Sequence, residues 1–133
     1  MKTKFLIFLF LIFVNSNSSA QTVFFDSQNI KIEDNGNMIF ASNGTAKIPS
    51  DNLVIRGEKF IYDKKNSELT ILDDVRYFDN ENNVYIESQK LIYNEISNIV
   101  FSKSETLIDI ENLYNVNSSD VLYNRNLGKI LSN

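Results

Sequence analysis

Apolar residues in this chain fall into columns that recur four times. The segments Val23 to Ile32, Leu53 to Tyr62, Val84 to Tyr93 and Tyr114 to Tyr123 align without a gap, and their last residues lie 30, 31 and 30 positions apart. A fixed period of this size marks a repeated supersecondary unit. With the last residue of each segment as origin, the column at minus nine holds Val23, Leu53, Val84 and Tyr114, and minus seven holds Phe25, Ile55, Ile86 and Val116. Minus two holds Ile30, Phe60, Leu91 and Val121, and plus seven holds Ile39, Leu69, Val100 and Ile130. Columns two apart share one face of a strand.

The step from minus seven to minus two is odd, so a flat strand would send these columns to opposite faces. Each repeat places a small residue between them: Ser27, Gly57, Ser88 or Ser118. This predicts a bulge or bend that turns a corner and keeps the apolar side inward. Turn-rich stretches follow each origin, Glu33 to Asn37, Asp63 to Ser67, Asn94 to Asn98 and Asn124 to Gly128, and predict hairpins. Return strands are expected at Met38–Ala41, Glu68–Leu72, Ile99–Ser102 and Lys129–Leu131, with a third strand at Thr45–Ile48, Val75–Phe78 and Thr106–Ile110. No helix is expected after the first 20 residues, because Ala is scarce and branched and aromatic residues are frequent. A β-sandwich also shows short strands at regular spacing. It does not require a small residue at one offset in four copies.

The first 20 residues read as a cleavable signal peptide. Lys2 and Lys4 precede the apolar run Phe5 to Val14, and Ser18-x-Ala20 is a small-x-small cleavage pattern. That run is shorter than the roughly 20 residues of a membrane span. Residues 21–133 are then one domain of four repeats, the last incomplete. Cleavage removes two lysines and no acid and takes the net charge from −4 to −6. An acidic domain without a Lys/Arg cluster is not expected to bind nucleic acid.

The chain has neither Cys nor His. Most metal, nucleophile and general-base chemistry is thereby removed, and neither an enzyme, a cofactor nor a metal is expected. Asp79 to Asn83 spaces oxygen ligands like a calcium loop, but Val84 and Lys90 stand where that loop needs Gly and Glu. It reads as a solvated loop. Asp73 and Asp74 read as a turn pair. Tyr62, Tyr93 and Tyr123 read either as a binding ladder or as core residues that keep the hydroxyl at the rim, and wall residues serving both purposes are expected.

Two segments carry a resemblance: Gly57-Glu58-Lys59-Phe60-Ile61-Tyr62-Asp63 and Ser88-Gln89-Lys90-Leu91-Ile92-Tyr93-Asn94. Together with Ala41-Ser42-Asn43-Gly44-Thr45, they resemble the OstA-like domain of the lipopolysaccharide-transport proteins, found in LptA and at the N-terminus of LptD. The likeness spans roughly residues 23–131 and departs at Asp120, where Lys is usual, and at Asp74, where Gly is usual. The resemblance implies an all-β open β-jellyroll of stacked repeats with a V-shaped cross-section, located in the periplasm or associated with the outer membrane. It implies a groove for the lipid A acyl chains of lipopolysaccharide and docking to neighbouring jellyrolls by edge-strand addition.

The residues expected to line that groove are Phe25, Ile30, Ile39, Ile55, Phe60, Tyr62, Leu69, Ile86, Leu91, Tyr93, Val100, Val116, Val121 and Tyr123. The chain stops just after the second strand of its fourth repeat. An N-terminal LptD-like domain, followed elsewhere by an outer-membrane barrel, is therefore expected in preference to a complete bridge protein. The competing expectation is a structural envelope protein whose trough is filled by its own side chains.

Overall fold

The computed structural model describes residues 23–132. The expected signal peptide lies outside them. The strands are β1 (Phe24–Glu33), β2 (Met38–Ile48), β3 (Leu53–Asp63), β4 (Glu68–Asp79), β5 (Val84–Asn94), β6 (Ile99–Ile110), β7 (Tyr114–Asn124) and β8 (Lys129–Ser132). They form one eight-stranded sheet in chain order, each neighbour antiparallel to the last, with short 3-10 turns at Asp34–Gly36 and Pro49–Asp51. The sheet is open, because β1 and β8 do not pair.

Each repeat is a hairpin of two long strands, where three were expected. Met38–Ala41 and Thr45–Ile48 are halves of β2, Glu68–Leu72 and Val75–Phe78 lie within β4, and Ile99–Ser102 and Thr106–Ile110 within β6. The polar residues between these halves look like turn residues and serve as corners. Asn43, Asp73 and Asp74 have φ of 52°, 64° and 49°, the left-handed region that short polar side chains tolerate. Register shifts mark the corner between Arg56 and Lys59, Leu72 and Val75, Glu87 and Leu91, and Lys103 and Thr106.

The small residues at minus five have two physical roles. Ser27, Ser88 and Ser118 each donate a hydroxyl hydrogen bond to the carbonyl two residues on, at 3.1, 2.9 and 3.1 Å, and so bridge the bulge. Gly57 instead answers a close approach, since a Cβ there would lie 2.4 Å from Ile71 Cγ2. Each bend divides its strand into a first and a second arm. Because every bend falls at the same height, the whole sheet folds into two facing walls.

Candidate functional site

The interior between the walls is built from rows that run across the sheet. In the first arm, one row passes through Phe25, Ala46, Ile55, Tyr77, Ile86, Ile108 and Val116. In the second arm, one row passes through Ile30, Ala41, Phe60, Ile71, Leu91, Ser102 and Val121, and another through Ile32, Ile39, Tyr62, Leu69, Tyr93, Val100, Tyr123 and Ile130. The walls touch. The ring centroid of Phe25 in the first arm lies 5.8 Å from that of Phe60 and 6.3 Å from that of Tyr62 in the second.

Of the expected groove residues, Ile55, Phe60, Tyr62, Leu69, Ile86, Leu91, Tyr93, Val100, Val121 and Tyr123 are buried in one apolar cluster. Phe25, Ile39 and Val116 pack against its margin. Ile30 is 51% exposed on the first edge strand, beside Ile32 at 62%. The interior is therefore closed to solvent across its middle, and its side chains open toward the β1 end. A mostly apolar cavity of about 330 Å³ lies near the corner at that end, lined by residues that include Ile30, Phe40, Ala41, Phe60, Ile61 and Leu72. Lys31 and Lys59 are among its remaining lining residues.

The rim between the arm tips is polar. Arg125, in the turn after β7, lies 2.7 Å through Nε from Asp79 Oδ2 at the end of β4. Its side chain is 5% exposed and that of Asp79 0%. Arg125 Nη2 also donates to the Asp51 carbonyl at 3.0 Å and reaches Glu81 Oε2 at 3.5 Å. Tyr93 Oη lies 2.9 Å from Asp51 Oδ2, and Tyr123 Oη donates to Asp79 Oδ2 at 3.1 Å. Asp79 Oδ1 accepts the backbone N–H groups of Glu81 and Asn82, which ties the turn after β4 to the same carboxylate. The bonds made by Arg125, Tyr93 and Tyr123 run from the second-arm tips to the first-arm tips.

Burial alone would push the Asp79 carboxyl up, but hydrogen bonds from Arg125 and Asn82 outweigh it and hold the group below the ordinary range. Burial likewise opposes the Arg125 charge, and the Asp79 hydrogen bond together with the other acidic groups around the guanidinium more than restores it. Burial first, and neighbouring carboxylates second, push the Tyr62 and Tyr93 hydroxyls up, so both remain protonated donors. Glu95 is also nearly buried, and its carboxyl is pushed up by burial against a partial offset from the Tyr62 hydroxyl. Glu95 Oε1 and Tyr77 Oη have no hydrogen-bond partner, an omission that costs about 1–3 kcal/mol for each such atom.

The rim network is absent from the sequence expectations, although strand parity carried a signal for it. Asp79 lies two residues beyond inward-facing Tyr77 and so shares its face. Glu95 and Arg125 both stand two residues past an inward tyrosine. Turn composition masked all three, and Asp79 in particular is buried where a solvated loop was expected. The tyrosine column does hold wall residues, with rings inside and hydroxyls bonded at the rim.

No family model matches the chain, and no curated protein matches it. Among solved structures, it superimposes on the crystal structure of LptH, the LptA homologous periplasmic component of the conserved lipopolysaccharide transport device from Pseudomonas aeruginosa. The TM-score is 0.74 at 11% identity, over 84% of this chain and 82% of that one.

The fold is the LptA-like β-jellyroll.

Among the described residues, β1 and β8 are the two edge strands of the sheet. Phe24, Ile30 and Ile32 on β1 and Leu131 on β8 are large apolar side chains exposed at those edges. Beneath the rim the buried side chains are mostly apolar, with Ser88, Ser102 and Thr106 as the buried polar residues near the corner.

Proposed function

We propose that this protein holds the acyl chains of lipopolysaccharide between the two arms of its jellyroll in the periplasm and passes them toward the outer membrane. The observation that carries this reading is the single large apolar cluster inside a bent sheet that shares its fold with LptH. Each buried methylene contributes about 0.8 kcal/mol, so a few acyl chains can be retained without any catalytic group. The acidic surface gives anionic head groups no attraction, and they stay in solvent outside the walls. Neighbouring jellyrolls dock on the β1 and β8 edges. The proposal includes an LptD-type role as an N-terminal domain at the outer membrane, which predicts that the protein co-fractionates with that membrane.

Photo-crosslinking from a probe amino acid at Leu69 or Ile86, in cells making lipopolysaccharide, tests the reading. Both side chains are inward and fully buried, whereas Thr70 faces out as a control. A lipopolysaccharide adduct at the inward sites and none at Thr70 is expected. Folded protein with no adduct at either inward site would favour the second reading, a structural envelope protein with a self-filled trough. That second reading is supported by the closure of the interior rows to solvent.

A further inference from the structure

The bonds that close the rim are unevenly distributed along the trough. Arg125 gathers contacts from three first-arm sources: the Asp79 carboxylate, the Asp51 carbonyl and the Glu81 carboxylate. Asp79 and Arg125 are 46 positions apart and Asp51 and Arg125 are 74 apart, so no local turn holds them together. The ion pairs of the described residues that do not involve Arg125 are exposed and lie on the outer surface or in turns. A buried pair is a poor way to gain stability compared with apolar packing, and its best-attested use is to specify one arrangement over another.

Two further observations bear on which arrangement is specified. Leu69, Ile71, Ile86 and Leu91 beneath the rim are fully buried, so nothing can reach them while the arms stay together. The Tyr77 hydroxyl and Glu95 Oε1 are buried without partners, and both would gain water if the arms parted. The closed state thus carries a polar penalty that opening removes, and it is held against that penalty from the rim.

We propose that Arg125 and Asp79 form a releasable clasp that keeps the two arms shut, and that the clasp must open before an acyl chain can enter between them. The proposal rests on the conduit reading for its cargo, but not for its mechanics. With the clasp closed the protein is the self-filled structure described above. With it open, the same apolar rows become a groove. The two competing readings of the interior are then two states of one molecule.

The chain has no cysteine, so paired labels can be placed without background. Ser50 and Asn126 are exposed and flank a polar recess of about 460 Å³ at the rim, on opposite arms. Spin labels at Ser50→Cys and Asn126→Cys would report the arm separation. The variant to compare is Asp79→Asn with Arg125→Gln, which removes both charges of the buried pair together, while Asp51 keeps the Tyr93 hydroxyl as a partner and Glu81 is solvated.

A narrow distance distribution is expected with the native pair, and a longer, broader one in the variant. Association of a fluorescent long-chain fatty acid is expected to speed up on the order of tenfold or more. An unchanged distance in folded variant protein overturns the clasp, and so does an unchanged association rate where the native protein takes up the fatty acid. If the variant does not fold, a short bismaleimide across the same two cysteines in the otherwise native protein decides the matter. Abolished uptake supports the clasp, and undiminished uptake overturns it. If the arms part and neither protein takes up fatty acid or lipopolysaccharide, the clasp stands as a mechanical element and the conduit reading falls.

Discussion

The hydroxyl of Tyr123 reaches across the mouth of the trough and donates to Asp79 Oδ2 at 3.1 Å, although the two residues are 44 positions apart. The bond joins the second arm of the last repeat to the first arm of the second hairpin. The same carboxylate oxygen also receives Arg125 Nε at 2.7 Å. One carboxylate therefore organises the rim, and the removal of either charged partner has different consequences from the removal of both.

Asp79→Ala leaves the Arg125 guanidinium buried without its main partner and is expected to lower stability by about 3–5 kcal/mol. Replacing both, as Asp79→Asn with Arg125→Gln, is expected to cost much less than the sum of the single changes. Urea denaturation of the two single variants and the double variant would show this coupling as non-additivity.

The pH dependence of stability has two opposed parts. The Asp79 carboxyl is held low and is faced by Arg125, Tyr123, Tyr77 and Glu81. Its contribution is present above the ordinary carboxylate pKa, near 4, and is lost as pH falls through its lower folded value. The Glu95 carboxyl is pushed up, so the folded state binds its proton more tightly and loses stability as pH rises from the ordinary Glu pKa through the higher folded value. Glu95→Gln is expected to stabilise the protein at neutral pH, with the gain vanishing below the ordinary Glu pKa. Thermal melts of the native and variant proteins between acidic and neutral pH would read both effects.

The corner tolerates little bulk. Gly57→Val places its Cβ against Ile71 Cγ2, where the ideal separation is only 2.4 Å, and is expected to cost about 1–3 kcal/mol. Gly44→Ala is expected to be worse in one respect. Its Cβ would meet the Asp26 carbonyl at 2.1 Å and Ser27 Cα at 2.6 Å, so backbone must move. Amide exchange should then show β1 unprotected while β3 to β7 keep their protection.

Ile30→Lys with Ile32→Lys tests the edge. Both side chains are exposed on β1, so the fold should survive with a change in stability of about 1 kcal/mol or less. Charge on an edge strand opposes pairing with another chain. Sedimentation at high concentration is expected to show end-to-end assemblies for the native protein and monomer for the variant.

The regular part of this molecule was legible in the sequence, and the irregular part much less so. The columns headed by Phe25, Ile30 and Ile32 became inward rows because a repeat imposes the same parity on every copy. The corner at Gly57 and its serine counterparts was visible for the same reason. The third strands were misjudged because Asn43 and Asp73-Asp74 have turn chemistry, whereas in a long strand that chemistry makes a bulge. Ile30 is exposed because its strand is at the edge, and a column cannot tell a terminal copy from an internal one. The Asp79–Arg125 pair breaks the repeat, and a reading built on what recurs passes over what does not.

Every strand pairs only with its neighbours in the chain, from β1 through to β8. A chain that folds from its amino terminus can therefore lay down one hairpin after another, each closing on local contacts. Arg125 and Tyr123 come last, since their partner Asp79 is in place long before they are made. Tyr93 can tie the second arm to Asp51 once β5 is laid down, but the Asp79 carboxylate waits for the last hairpin. A chain cut short after β6 would hold all its earlier hairpins and still carry an acid at the rim without its cation, so that end of the trough would be fastened at one point and loose at the next.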